Sequence, residues 1–258
     1  MKKIENNTVF YYKNDKTTLD NSKSVTSLNG NYELWYFLED KSEFLLNATT
    51  YFPKKNTLII VKPNTYHKLL TKNSGYILIS FSLSDICENF IKDINDICSY
   101  SIFYKDTAFT DIFNNLSLLK GVMSSQDFSS FLYNTVQNII LQLKYTASCY
   151  SDIKQVQTFP TLTSILEYID NNLNSEDLTI YAIADALYIS PSTISHIFTK
   201  GLQISPQKYI NNKKMIYAKS LINSGIAATE VAKICGYSNY VTFYRLYKQF
   251  FNISPSKN

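Results

Sequence analysis

Ile183-Ala184-Asp185-Ala186-Leu187-Tyr188-Ile189-Ser190-Pro191 and Val231-Ala232-Lys233-Ile234-Cys235-Gly236-Tyr237-Ser238 open one pattern written twice. Ile183-Ala184 answers to Val231-Ala232, Leu187 to Cys235, and Ile189-Ser190 to Tyr237-Ser238. After one inserted residue, Ile194, Ile197 and Phe198 answer to Phe243, Leu246 and Tyr247, and both copies close on Ile-Ser-Pro at 204–206 and 253–255. Each copy reads as a short helix, a tight turn and a second helix with a polar outer face. Ala184 and Ala232 fall where two helices must cross closely, and Gly236 suits a sharp helix-to-helix corner. A second helix held in this way can be presented to a DNA major groove, so two copies imply two successive grooves met by one chain.

Charge supports that placement. The net charge of the 258-residue chain is only +4, but residues 1–160 carry 16 basic and 15 acidic groups, and residues 161–190 carry five acids and no base. Residues 191–258 then hold eight lysines, one arginine and the single acid Glu230. Such an asymmetry is the footprint of a phosphate-binding face. The apolar content of 45% is ordinary for a globular protein, and no run approaches the ~18–20 apolar residues of a membrane helix. No apolar stretch follows Met1-Lys2-Lys3, so no secretory signal is visible, and a cytoplasmic protein without membrane contact is expected. Cys87, Cys98, Cys149 and Cys235 form no CxxC pair, which argues against a zinc site or a disulfide framework. Neither a metal nor any other cofactor is expected.

Outward from the repeat, the chain divides. From about Val9 to Ser82 the pattern is that of strands. Tyr32–Leu38, Glu43–Asn47, Thr57–Val61 and Tyr76–Phe81 are rich in β-branched and aromatic residues and are bounded by turn-formers such as Asn29-Gly30-Asn31 and Lys62-Pro63-Asn64. Regularly spaced short strands argue for a sandwich or a barrel. From Ser84 the period becomes helical: Ile86, Phe90, Ile94 and Ile97 recur at helix spacing, and a longer helix follows over about 125–145. Its stripe of Phe128, Phe131, Leu132, Val136, Ile139, Ile140 and Leu143 either packs on the strands or meets the same helix of a second chain. Periodicity favours neither.

Residues 146–160 lose the period and place a domain boundary near 155, dividing the chain into 1–155 (strands about 9–82, helices about 84–150) and 156–258. The second part reads as seven helices. Thr179 N-caps the helix Ile180–Leu187, and Ser190-Pro191 and Ser205-Pro206 open the next two. Gly225 stops the long one, Ala228–Cys235 and Asn239–Phe250 complete the second unit, and Ser254-Pro255 starts a last turn. The helix-turn-helix units fall at about 180–199 and 228–250. The expected fold class is thus α+β, a β-domain with following helices ahead of an all-α domain.

Residues 161–258 resemble the DNA-binding domain of the AraC/XylS family of bacterial transcription regulators. The residues that carry the likeness run from Ile234-Cys235-Gly236-Tyr237-Ser238 through Phe243-Tyr244-Arg245-Leu246-Tyr247-Lys248 to Ile253-Ser254-Pro255. Residues 30–82 resemble the family's cupin-like effector-binding barrel more weakly, through Tyr32-Glu33-Leu34, the Pro53 turn and Pro63-Asn64-Thr65-Tyr66-His67. The likeness implies a regulator that binds double-stranded DNA in two adjacent turns of the major groove. It also implies a small-molecule effector in the barrel, homodimerisation, and activation through RNA polymerase. Several positions depart from the pattern. Tyr188 stands where the family has glycine at the first turn, so a strained or altered turn is expected there. Asn252 replaces the usual glycine at the end of the last helix and can take the same left-handed cap. Lys214 sits where arginine is common in the linker helix, and His196 replaces an arginine of the first recognition helix.

Arg245 is the chain's one arginine, and its planar fork can bridge guanine O6 and N7, whereas lysine is a point charge suited to phosphate. Through the resemblance Arg245 faces the groove, flanked by Tyr240, Val241, Thr242, Tyr244 and Lys248; a phosphate clamp or an internal salt bridge is the competing role. In the first unit Ser192, Thr193, Ser195, His196 and Thr199 face outward as short polar groups that read bases tolerantly. In the barrel, Glu33, Trp35, Tyr66 and His67 line or cap the effector pocket, against the alternative of a half-buried histidine at a strand end. The dimer face, if the stripe forms one, is Phe128, Phe131, Leu132, Val136, Ile139 and Leu143. A single histidine in residues 1–155 is too few for a cupin metal centre, and no catalytic constellation is present. A regulator is therefore favoured over an enzyme, with the barrel meeting either a small molecule or a protein partner.

Overall fold

The computed structural model describes residues 9–14, 26–27, 30–47, 49–71, 74–81, 103–105, 108–146 and 160–255. The chain divides into two compact units, one holding most of the strands and the helices up to residue 146, the other holding the helices from Pro160 onward. The helix expected around Ile86–Ile97 and the boundary stretch 147–159 lie outside the described residues.

The strands are β1 (Val9–Asn14), β2 (Thr26–Ser27), β3 (Tyr32–Phe37), β4 (Phe44–Leu46), β5 (Thr49–Tyr51), β6 (Thr57–Val61), β7 (His67–Leu69), β8 (Tyr76–Phe81) and β9 (Phe103–Lys105). They form a five-stranded sheet, β1-β8-β3-β6-β9, and a four-stranded sheet, β2-β7-β4-β5. The pairing of β3 with β6 and β8 is antiparallel, placing Trp35 opposite Ile59 and Leu78. Among the described residues no ladder joins the edges of the two sheets. Among the described residues the β-domain is thus two sheets that are not closed on each other, with large rings filling the space between them.

Every residue of β3, β6 and β8 is buried, because both faces of the five-stranded sheet are covered. Strands covered on both sides read as unbroken apolar runs, which is why YELWYF, TLIIV and YILISF show no polar alternation. One face meets the four-stranded sheet through Trp35 against Phe44 and Phe37 against Phe44, with ring centroids 5.1 and 5.7 Å apart. The other face, with Leu34, Tyr36, Leu58, Ile60, Ile77 and Ile79, forms one core with helices α1 (Ala108–Leu119) and α2 (Ser125–Thr146). Tyr36 stacks on Phe113 of α1 at 4.0 Å, and its hydroxyl donates to Asn56 Oδ1.

This core decides what the α2 stripe does. Phe128, Leu132, Val136, Ile139 and Leu143 are buried within their own chain, and only Phe131 stays partly exposed at its edge. Of the six residues read as a dimer face, five are thus packed in this core and Phe131 alone is partly exposed. α1 and β9 were not expected from the sequence. Phe109, Ile112, Phe113 and Leu116 do recur at helical spacing in α1, but Thr110, Asn114, Asn115 and Ser117 between them are weak helix formers.

The second unit comprises α3 (Pro160–Asn171), α4 (Ile180–Leu187), α5 (Pro191–Gly201), α6 (Pro206–Asn223), α7 (Ala228–Ile234) and α8 (Tyr240–Phe251). The expected start signals act as read. Thr179 accepts from the Ala182 amide, Ser190 from Thr193 and Ser205 from Lys208, with proline following both serines. Gly225 ends α6 at φ 91°. The last expected element, a turn from Ser254-Pro255, reaches the end of the described residues, where Pro255 lies in a turn.

Candidate nucleic-acid interface

Four of the matched pairs in the two copies are buried. Ile183 and Val231, Ala184 and Ala232, Ile194 and Phe243, and Phe198 and Tyr247 are each at most 4% exposed. The two turns also share a backbone: Tyr188 has φ 55° and Gly236 φ 70°. In the first turn the amide of Tyr188 donates to Asp185 O and that of Ile189 to Ala184 O, closing α4 although Tyr188 carries a Cβ. A left-handed residue other than glycine costs roughly 1–2 kcal/mol. The ring adds no clash, since Tyr188 is 95% exposed. Asn252 takes the same conformation at the end of α8, φ 59°, as expected.

The second turn requires its glycine for a further reason. A Cβ on Gly236 would stand 2.6 Å from the Ser175 carbonyl oxygen and 2.9 Å from Lys214 Nζ.

With the apolar sides buried, the polar sides of α5 and α8 face solvent. On α5, Ser192, Thr193, His196 and Thr199 are exposed and Ser195 is partly so. Their hydroxyls are already engaged: those of Ser192 and Thr193 each lie 2.8 Å from Ser190 Oγ, Ser195 donates to Pro191 O, and Thr199 donates to Ser195 O. Hydroxyls that donate into their own helix keep lone pairs for incoming donors but offer a base little directional choice. On α8, Val241 (71%), Arg245 and Lys248 are exposed, Thr242 and Tyr244 are partly so, and Tyr240 is half-buried against Phe243. Gln249, which the sequence reading passed over, is exposed beside Lys248. Among the described residues Arg245 makes no ion pair.

Not all the cations counted toward this face belong to it. Lys213 is buried on α6, its Nζ 2.8 Å from Asp170 Oδ1 of α3 and 5.7 Å from the centre of the Tyr209 ring. Lys214, also buried, donates to the Ser175 carbonyl at 3.1 Å and lies 5.4 Å from the Tyr237 ring centre. Burial lowers the pKa of Lys214, while the nearby Cys235 and Glu176 act against that shift. The same burial pushes the Cys235 thiol up to about 11, so it stays protonated and inert at neutral pH.

The Tyr237 hydroxyl is buried without a hydrogen-bond partner among the described residues, and burial raises its pKa. An unsatisfied buried hydroxyl is a net cost, so Tyr237→Phe should leave thermal stability unchanged or raise it by about 1–2 kcal/mol. A clear loss in a calorimetric melt would reveal a partner for that hydroxyl.

In the first unit the structure brings three of the four effector candidates together between the sheets. Glu33 Oε2 lies 2.7 Å from His67 Nε2 and accepts from Trp35 Nε1 at 2.8 Å, all three residues being buried. His67 Nδ1 is 3.0 Å from the Thr65 carbonyl, which can only accept, so Nδ1 is the donor in that contact. Tyr66 is buried next to His67 in sequence, with its phenol pushed up to about 12 by burial. The half-buried strand-end histidine is thus replaced by a fully buried, paired one. Among the described residues no three His, Cys, Asp or Glu side chains converge as metal ligands do, and no helix is long and apolar enough to cross a membrane.

Two units that bury matched positions and present polar second helices define a double helix-turn-helix module. Residues 183–257 match the family model of a helix-turn-helix domain. The chain is 23% identical over 235 residues to YdiP of Escherichia coli, an uncharacterized HTH-type transcriptional regulator, a match covering 87% of this chain and 77% of that protein. It is 36% identical over 95 residues to YijO of the same organism, also an uncharacterized HTH-type transcriptional regulator, covering 36% of this chain and 33% of that one. ToxT of Vibrio cholerae aligns with a TM-score of 0.41 at 10% identity, over 96% of this chain and 95% of that chain. Residues 183–257 thus form a helix-turn-helix domain, and the chain is similar to HTH-type transcriptional regulators.

Proposed function

We propose that the chain binds a specific operator by placing α5 and α8 in successive major grooves, with α8 carrying most of the sequence information. The observation that supports this best is Arg245: exposed, unpaired among the described residues, and one turn from Val241 on the open side of α8. Val241 and the edge of Tyr240 suit thymine methyl groups, Thr242 and Tyr244 flank them, and Lys248 serves phosphate. On α5, Ser192, Thr193, Ser195 and Thr199 contribute tolerant contacts, because their hydroxyls are already engaged at the helix, and His196 adds an exposed imidazole.

Arg245→Ala is expected to cost about 1–3 kcal/mol and to relax preference at one operator position, while Lys248→Ala weakens all sequences alike. Selection of duplexes from a randomised library by each variant separates the two. Unchanged preference in the Arg245 variant would move base reading to Val241 and Tyr244.

Salt dependence provides an independent check. With Lys213 and Lys214 turned inward, at most seven cations of residues 191–258 remain for phosphates. The log–log slope of affinity against salt is therefore expected between about −3 and −6. A slope near zero would sink the groove reading.

The first unit is proposed as the regulatory half. Glu33, Trp35 and His67 place a protonatable polar cluster in an apolar interior, the kind of constellation that orients a small polar effector, with Tyr66 beside it. Homodimerisation through α2 would use its outer side, where Asn134, Asn138, Leu141 and Tyr145 are exposed at helical spacing. Activation through RNA polymerase rests on the AraC likeness alone, and transcription of an operator-linked reporter with and without the chain tests it.

A further inference from the structure

Three segments meet at the buried ammonium of Lys214. The first is the loop between α3 and α4, whose Ser175 carbonyl accepts from Nζ. The second is α6 itself. The third is the turn into α8, which lays the Tyr237 ring over Nζ and brings Gly236 so near that no Cβ fits between it and Ser175. The loop leads into α4 of the first helix-turn-helix copy, and the turn leads into α8 of the second copy. Beside it, Lys213 fastens α3 to α6 through Asp170.

A helix alone fixes the rise between two modules but leaves each able to pivot where it joins. The contact at Lys214 is a cross-brace that opposes this pivot. We propose that Lys214 is a positioning residue that sets the spacing and phase at which the two recognition helices meet DNA, without touching DNA itself. The inference rests on the two-groove reading above.

A brace of this kind acts on how the units combine. Binding by the second unit becomes intramolecular once the first has bound, and its effective concentration depends on how narrowly the joint restricts it. Loosening the joint lowers the affinity for the joined site and flattens the dependence on spacing, and leaves binding to each half alone.

The test uses the full chain and a duplex that the wild-type chain selects from a randomised library. Companion duplexes carry one or two base pairs inserted or deleted between the half-sites, or one half-site scrambled. For Lys214→Met, affinity for the selected duplex is expected to fall about tenfold, with binding to the single half-sites within about twofold of wild type and a broadened spacing optimum. Lys214→Arg, which keeps the charge and a donor toward Ser175, should restore the narrow optimum. Should Lys214→Met fail to fold, Tyr237→Leu removes the ring from the ammonium and is expected to broaden the optimum to a smaller extent. An unchanged spacing profile in the folded variants overturns the inference while leaving the groove reading standing. A parallel loss on the half-sites also overturns it, by reducing Lys214 to a general stabiliser. Failure of the wild-type chain to select any duplex overturns the groove reading itself.

Discussion

Ile139→Asp is expected to unfold the N-terminal unit and not to release a folded monomer. Ile139 is fully buried in the layer where α2 meets the five-stranded sheet, together with Leu34, Tyr36, Ile60 and Ile79. Removing a buried isoleucine side chain costs about 2–5 kcal/mol through lost transfer and cavity energy. A carboxylate placed there without a partner adds several more. A sum of about 5 kcal/mol or more matches the whole stability of many domains. Trp35, the chain's single tryptophan, is fully buried between the sheets and reports the loss directly through a red-shifted emission. Phe131→Asp is the control: that side chain is only partly covered, so its replacement should cost about 1 kcal/mol and leave Trp35 buried. A folded, monomeric Ile139→Asp protein would restore the dimer face to the inner side of α2.

That contrast marks where sequence reasoning ends. Periodicity identified α2 to within a residue at either end, because apolar spacing is local. What covers the stripe is a tertiary fact, and the same stripe serves a sheet or a second chain equally well. The helical unit was the more legible half. Thr179, Ser190 and Ser205 each bond the amide three residues on, so their signal lies within the segment they start. Tyr188 shows the reverse case: the turn keeps the backbone glycine would favour, because the closing hydrogen bonds outweigh the strain of one exposed side chain.

Lysines 213 and 214 look like every other cation of a basic module until Asp170 and Ser175, some forty residues earlier, are folded against them. Counting charge along the chain cannot separate a brace from a phosphate contact. In the N-terminal unit the long strands β3, β6 and β8 were legible from dense apolar runs. β2, β5, β7 and β9 hold two or three residues each and exist only through their neighbours. Closure of a barrel is likewise decided by edge pairing, which no single strand encodes.

Glu33 carries the other large effect, because its carboxylate is shared by both sheets. Its Oε2 takes the Trp35 N–H from its own strand and meets His67 Nε2 on the opposite sheet, while His67 Nδ1 holds the Thr65 carbonyl. Glu33→Ala deletes the acceptor and leaves an indole N–H and an imidazole nitrogen buried among Phe44 and Tyr76. Breaking one side of a buried pair costs about 3–5 kcal/mol, mainly because the group left behind has lost its water without gaining a partner. Glu33→Gln keeps a hydrogen-bonding group in place but cannot serve Trp35 and His67 through one atom, so about 1–2 kcal/mol is expected. Urea titration followed by Trp35 emission measures both, since the reporter touches the site it reports on. The ordering matters more than either value. Equal small losses for Ala and Gln would mean that water or another donor already satisfies His67, and the cluster would then be an open polar site and not a latch between sheets. A large loss for Ala with a small one for Gln fixes the pair as structural in the unliganded protein. An effector entering there would then have to replace the Glu33 contacts it displaces, and the ligands that can do so are those offering both a donor and an acceptor to the space between Trp35 and His67.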